Sequence, residues 1–178
     1  VVVKSNTHHE KFAETKVEVV QYKNNKGESL KGLLYYPSGY DKRYQYPMVV
    51  NVYEKQSNQV HHYRSPGLLN RDGFNVANLT SKGYFVLLPD TTHEIGNVGY
   101  SALDCVESAV KAVLSQSIVD EKKVGLIGHS FGGYQTNFII TQSKMFACAV
   151  AGAATSNFLS SHLSVSKNLE IPNFFIIE

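Results

Sequence analysis

Residues Gly128 to Gly132 follow the pattern G-x-S-x-G, with Ser130 at its centre. A serine hydroxyl is a weak nucleophile at neutral pH, but a neighbouring base lets it attack a carbonyl carbon and form an acyl intermediate. The pattern carries this chemistry when it lies in a tight turn between a buried strand and a helix. Here the apolar run Val124 to Ile127 precedes it, and a helical pattern from about 132 to 142 follows. Ser130 is therefore the predicted nucleophile.

The glycines around Ser130 fit the same interpretation. A strand-to-helix turn this tight strains the backbone of its central residue and brings strand and helix so close that a Cβ would clash. Gly128, Gly132 and Gly133 provide that space. The start of the helix would then offer unpaired backbone N–H groups to a developing oxyanion.

The groups that would activate Ser130 are not found in the required order. With this motif, an Asp or Glu follows the serine and a His comes last. After Ser130 the sequence holds no aspartate, one histidine (His162) and two glutamates (Glu170 and Glu178), and His162 precedes both of them. His162 is interpreted as a loop residue. We expect the triad Asp and His to lie beyond residue 178, so that this fragment alone would be inactive.

No catalytic or metal-binding role is predicted for the remaining histidines or for the cysteines. His129 is expected to pack beside the site, because successive side chains at such a turn point in different directions. The pairs at 8–9 and 61–62 have no carboxylate or cysteine at ligand spacing, so no metal is predicted. Cys105 and Cys148 lie in apolar segments and are expected to be small buried side chains.

The elements that must position Ser130 alternate between strands and helices. A hairpin comes first, because residues 17–22 and Leu30 to Tyr36 are extended patterns around a turn at 24–27. Short apolar runs predict strands buried on both faces, and a further strand follows the motif. These four strands are predicted at 48–53, 84–88, 124–127 and 146–150.

Helices are predicted between these strands. A short helix at 74–79 should end at Gly83, and the clearest apolar stripe of period 3.6 covers 101–116. Ser101 and Asp104 are expected to cap this second helix. The residues at 120–123 are interpreted as a polar connector.

The alternation predicts an α/β fold: a three-layer α/β-hydrolase sandwich, with a mostly parallel sheet and an N-terminal antiparallel hairpin, incomplete at the C-terminus. Residues 1–15 are expected to be a linker or tail from a preceding domain. Residues 16–178 would form the N-terminal part of the hydrolase domain.

Composition excludes some classes of partner. The formal charge is +2, and the 17 Lys and Arg and 15 Asp and Glu are scattered, so no nucleic acid is expected. The longest apolar stretch, Phe146 to Ala154, is about half of what a membrane span needs. The sequence therefore predicts a soluble protein, either extracytoplasmic or cytoplasmic.

From about Lys16 through Ala154 the chain resembles the catalytic domain of the prolyl oligopeptidase family of serine peptidases. The resemblance rests on the hairpin, on Tyr46-Pro47 before a buried strand, on Tyr53 at that strand's end, on Val119-Asp120 and on the motif itself. It implies that the Tyr53 hydroxyl and the Phe131 backbone N–H bind the oxyanion. The sequence departs from the family at 54–56 and 90–96.

The resemblance also implies a function. We expect a serine-type peptidase that hydrolyses short peptides through an acyl-enzyme on Ser130, similar to dipeptidyl or acylaminoacyl peptidases. It would need no cofactor, and a β-propeller and a C-terminal remainder could complete the protein. A carboxylesterase on the same fold is one alternative. A non-catalytic binding module or inactive fragment is another, and a second chain that completes the triad is a third.

Overall fold

The structure is a computed structural model that describes residues 16–64, 67, 74–162, 164–166 and 171–172. The predicted linker, residues 1–15, lies outside the described residues. The helices and strands are, in chain order, β1 (Val17–Lys23), β2 (Ser29–Tyr35), β3 (Tyr46–Asn51), α1 (Val76–Thr80), β4 (Phe85–Pro89), α2 (Val98–Leu114), β5 (Val119–His129), α3 (Phe131–Gln142), β6 (Cys148–Gly152), α4 (Phe158–His162), β7 (Val165–Ser166) and β8 (Ile171–Pro172).

Six of these strands form one sheet in the order β1-β2-β4-β3-β5-β6. The hairpin strands β1 and β2 are antiparallel, and β2 also runs antiparallel to β4. The pairs β3–β4, β3–β5 and β5–β6 are all parallel. The predicted sheet, mostly parallel with an N-terminal antiparallel hairpin, is confirmed.

Helices cover both faces of this sheet, as the alternation of side chains along β4 shows. Phe85 and Leu87 are fully buried in a core cluster that includes the apolar side of α2. Their neighbours Val86 and Leu88 belong to a second cluster, which includes Val76 at the start of α1. Because successive side chains of a strand point to opposite faces, β4 requires an apolar layer on each side. The three-layer α/β arrangement is therefore confirmed.

The prediction of the second helix was wrong at its start. Helix α2 begins at Val98 and its cap position is Asn97, so Ser101 lies inside the helix. The Ser101 hydroxyl donates to the Asn97 carbonyl at 2.9 Å. The Asp104 carboxylate instead accepts from the Asn25 backbone N–H, at 3.0 Å. Neither residue caps the helix. The Ser101 hydroxyl binds the preceding loop, and the Asp104 carboxylate binds the hairpin turn.

Three further predictions were wrong. Residues 120–123 belong to β5, where the register with β3 shifts between Tyr46 and Met48, so their polar side chains are accommodated in an irregular strand. Cys148 is exposed, because it lies on the edge strand β6. His162 is the last residue of α4, a helix of one turn and a half that is too short to show a period of 3.6.

Candidate active site

Ser130 occupies the single position between β5 and α3. Its backbone has φ 56° and ψ −116°, a region that a residue with a side chain rarely adopts. The turn is held on both sides, since the Ser130 N–H donates to the Gly152 carbonyl at 2.8 Å and the Tyr134 N–H donates to the Ser130 carbonyl at 3.1 Å. Ser130 is exposed although both flanking elements pack into the core. The strand–turn–helix context that the motif requires is therefore present.

The glycines around this turn are required by close contacts. A Cβ on Gly128 would overlap the carbonyl of Gly132, and a Cβ on Gly132 would overlap the carbonyl of Val52. A Cβ on Gly133 would come within 2.8 Å of the Gly152 carbonyl oxygen. Backbone atoms cannot move aside as the end of a side chain can. The predicted need for space at these three positions is confirmed.

Tyr53 lies two residues beyond the end of β3, on the same side of the sheet as the turn at Ser130. Its ring meets the ring of Phe131 edge-on, with centroids 6.2 Å apart and planes at 89°. The residue is 41% exposed. Phe131, the first residue of α3, has a backbone N–H at the helix end, outside the intrahelical pattern. The structure thus brings together the three site residues that the sequence predicts.

A cleft of about 750 Å³ contains Ser130 and Tyr53. It opens where β3, β5 and β6 end, which is where sheets of this class usually bind ligands. Its lining mixes apolar side chains from the strand ends with charged and polar ones from the segment after β3. The lining residues used below are Tyr53, Glu54, Lys55, Gln56, His129 and Ser130.

The segment after β3, where the sequence departs from the resembled family, is held by Asp90. This carboxylate is 6% exposed and follows directly after β4. It accepts from the backbone N–H groups of Gln56 and Ser57, at 2.7 and 2.8 Å, and from the Ser57 hydroxyl at 2.6 Å. The sequence analysis did not single out Asp90. The available signal was an acidic residue directly after a wholly apolar strand.

His93 is a second residue that the sequence analysis missed. Its ring lies edge-on to Phe131, with centroids 5.2 Å apart, and its Nε2 is 3.4 Å from the Thr91 hydroxyl. Burial lowers the pKa of His93, while the nearby Glu54 acts in the opposite direction. The neutral imidazole is therefore favoured beside the predicted oxyanion donor. No motif marks this position in the sequence.

The other histidines of interest are placed as follows. His129 lines the cleft, and its ring lies near Gly152 of β6, so it packs beside the site as expected. His162 is the last residue of α4. In the part of the chain that the structure describes, no three His, Cys, Asp or Glu side chains are grouped so that they could hold a metal ion. No helix among the described residues is long and apolar enough to cross a bilayer.

Comparison with known proteins relates part of the chain to one family of peptidases. Residues 92–173, which include the turn at Ser130, match the model of the prolyl oligopeptidase family. The predicted relationship to this family is confirmed. An uncharacterised peptidase of Bacillus subtilis (strain 168), YuxL, is 27% identical over 149 residues, which are 82% of this chain and 23% of the relative. Dipeptidyl peptidase 8 of Mus musculus is 27% identical over 154 residues, which are 78% of this chain and 17% of the relative.

Solved structures agree on the fold. The acylaminoacyl peptidase of Pyrococcus horikoshii matches with a TM-score of 0.67 at 19% identity, over 87% of this chain and 26% of that one. The chain spans less than a quarter of the length of the two curated relatives. The chain therefore corresponds to one part of these larger relatives.

Proposed function

We propose that the protein carrying this chain is a serine-type peptidase that hydrolyses short peptides through an acyl-enzyme on Ser130. The observation that carries the proposal is the backbone of Ser130, which holds φ 56° at the junction of β5 and α3 and leaves the residue exposed in a cleft. A strained conformation that the surrounding backbone enforces is a feature of functional sites.

In the proposed reaction the Ser130 hydroxyl oxygen attacks the carbonyl carbon of the scissile peptide bond. Its proton passes to a histidine base, which we place with its orienting carboxylate beyond residue 178. The Tyr53 hydroxyl and the Phe131 backbone N–H donate hydrogen bonds to the negative oxygen of the tetrahedral intermediate. The protonated base gives its proton to the leaving amine, and water then hydrolyses the acyl-enzyme. No cofactor takes part.

The relatives support a peptidase rather than an esterase, because those reported above are named peptidases. We further propose that residues 1–15 connect to a preceding domain, a β-propeller, and that residues 16–178 begin the catalytic domain. The relatives are long enough for such an arrangement, since the chain spans 23% of one and 26% of another. We infer that the substrates are peptides, from which the enzyme would release a dipeptide or an acylated residue.

The test is turnover by the full-length native protein of matched amide and ester substrates, such as a dipeptide p-nitroanilide and the p-nitrophenyl ester of the same acyl group. We expect turnover of the amide, and a burst of p-nitrophenol from the ester equal to one per chain. Ser130→Ala should abolish both. Ser115→Ala, an exposed serine just after α2, is the control and should retain both activities.

Each outcome separates one alternative. Turnover of the ester alone would favour the carboxylesterase. If neither substrate reacts and Ser130→Ala changes nothing, the catalytic proposal is wrong, and a binding module takes its place.

A further inference from the structure

Asp90 and Thr91, which directly follow β4, form hydrogen bonds with the segment that carries Tyr53. The Thr91 hydroxyl donates to the Tyr53 carbonyl at 2.8 Å, and the Thr91 N–H donates to the Glu54 carbonyl at 3.3 Å. Asp90 accepts from the N–H groups of Gln56 and Ser57 in the same segment. Residues 53–57 are therefore held at both ends by two consecutive residues of a neighbouring strand end.

Asp90 and Thr91 are themselves fixed. They are 6% and 3% exposed. The Asp90 N–H donates to the Lys31 carbonyl at 2.8 Å, and the buried Tyr22 hydroxyl donates to the Asp90 carbonyl. Both partners belong to the N-terminal hairpin, which pairs with β4 through β2. The support of Tyr53 thus continues into the sheet.

We propose that Asp90 and Thr91 are positioning residues that place the Tyr53 hydroxyl for oxyanion binding. This inference rests on the proposed function. Hydrogen bonds to the Tyr53 and Glu54 carbonyls restrain the backbone from which the Tyr53 ring leaves. On the other side the ring meets Phe131 edge-on and lies close to Gly132, both at the start of α3. An oxyanion donor must be held in place before the charge develops, within about 0.5 Å of its productive position.

The hydrogen bond from Thr91 can be removed with little change in shape. Thr91→Val replaces the hydroxyl by a methyl group, and Thr91→Ser keeps the hydroxyl. The matched control is Thr80→Val, because Thr80 is fully buried and its hydroxyl also donates to a backbone carbonyl, that of Ala77, away from the cleft. A general loss of stability would affect Thr91→Val and Thr80→Val alike.

The experiment is a double-mutant cycle on the full-length native protein, with kcat and KM measured on one peptide p-nitroanilide. We expect Tyr53→Phe to lower kcat about 100-fold. Thr91→Val should lower kcat about 10-fold, with KM changed less than about twofold, and Thr91→Ser should restore most of it. Because Thr91 acts through the Tyr53 hydroxyl, the double variant should be no slower than Tyr53→Phe alone.

The failure of this inference can be told apart from the failure of the proposed function. If Tyr53→Phe leaves kcat unchanged, Tyr53 is not an oxyanion donor, and the role proposed for it fails together with the inference. If Tyr53→Phe slows the enzyme but Thr91→Val slows it further by the same factor in both backgrounds, only the positioning role is overturned. A loss of kcat in Thr80→Val equal to that in Thr91→Val would also overturn it.

Discussion

The two sides of the proposed oxyanion site are built in different ways. The turn at Ser130 is fixed by close contacts between backbone atoms of β5, α3 and the ends of the neighbouring strands, where any Cβ would collide. The segment carrying Tyr53 is fixed by hydrogen bonds that it donates to Asp90 and accepts from Thr91, more than 30 residues away. A turn held by close backbone contacts does not tolerate added atoms, whereas a segment held by several hydrogen bonds loosens gradually as they are removed one by one. The two sides should therefore respond differently to substitution.

The largest effect is expected on the steric side. Gly132→Ala places a methyl group against the Val52 carbonyl, so the turn cannot keep its geometry. We expect a loss of about 3 kcal/mol in the free energy of unfolding and no detectable turnover. Urea unfolding of the native protein measures the first quantity. Gly125→Ala in β5 is the control, because the one tight contact of its Cβ would be with the Cys148 sulfur, at 3.1 Å, while the Cys148 carbonyl oxygen lies at an ordinary 3.8 Å. It should cost less than about 1 kcal/mol. Equal losses for both variants would show that the close contacts at Gly132 are not decisive.

Removal of the Tyr53 hydroxyl should affect catalysis and leave stability nearly unchanged. The side chain is 41% exposed, and its ring contacts with α3 are kept in Tyr53→Phe. We expect kcat to fall about 100-fold, with a melting temperature like that of the native protein. Tyr44→Phe, which removes an exposed hydroxyl in the loop before β3, should change neither quantity. A Tyr53→Phe variant of full activity would remove this residue from the mechanism.

Asp90→Asn tests the hydrogen-bonded side. An amide has one acceptor oxygen, so one of the three groups that now donate to the carboxylate loses its acceptor in a buried place. We expect a loss of about 1 to 3 kcal/mol in unfolding free energy, together with a lower kcat. Asp41→Asn removes an exposed ion pair with Arg43 and should be nearly silent in the same unfolding experiment. If Asp90→Asn is equally silent, Asp90 does not hold the segment.

The smallest effect is expected at His93, which contacts Phe131 and Thr91 and so touches both sides. Burial lowers its pKa below the ordinary 6.5, so in acid the unfolded chain binds this proton before the folded chain does. Proton binding by His93 therefore leaves the free energy of unfolding unchanged above pH 6.5 and lowers it as the pH falls below 6.5. His93→Gln should make the melting temperature less dependent on pH below 6.5. An unchanged slope between pH 6.5 and 5 would contradict the assignment.

The sequence was most informative where structure follows from local pattern. The strand before Ser130, the glycines around it and the helix after it are neighbours in the chain, so their spacing predicts the turn without knowledge of the fold. The apolar runs predict the strands of the sheet for the same reason. The positions of Tyr53 and Phe131 could be expected only from the resemblance to a family.

The supporting contacts could not be predicted. Asp90 and Thr91 act on residues 33 to 38 positions earlier, and no periodicity records such a pair. His93 reaches Phe131 only because β4 and β5 end on the same side of the sheet, on either side of β3. The cap of α2 was misplaced because Ser101 and Asp104 are good caps by type, while the Ser101 hydroxyl binds the loop just before the helix and the Asp104 carboxylate binds the distant hairpin turn.

The most direct test of the central claim is to react the full-length native protein with a fluorophosphonate probe and to map the adduct by peptide mass spectrometry. We predict one adduct per chain, on the peptide containing Ser130, and none in Ser130→Ala. An adduct on another serine, or no adduct in a folded native protein, would contradict the assignment of Ser130 as the nucleophile.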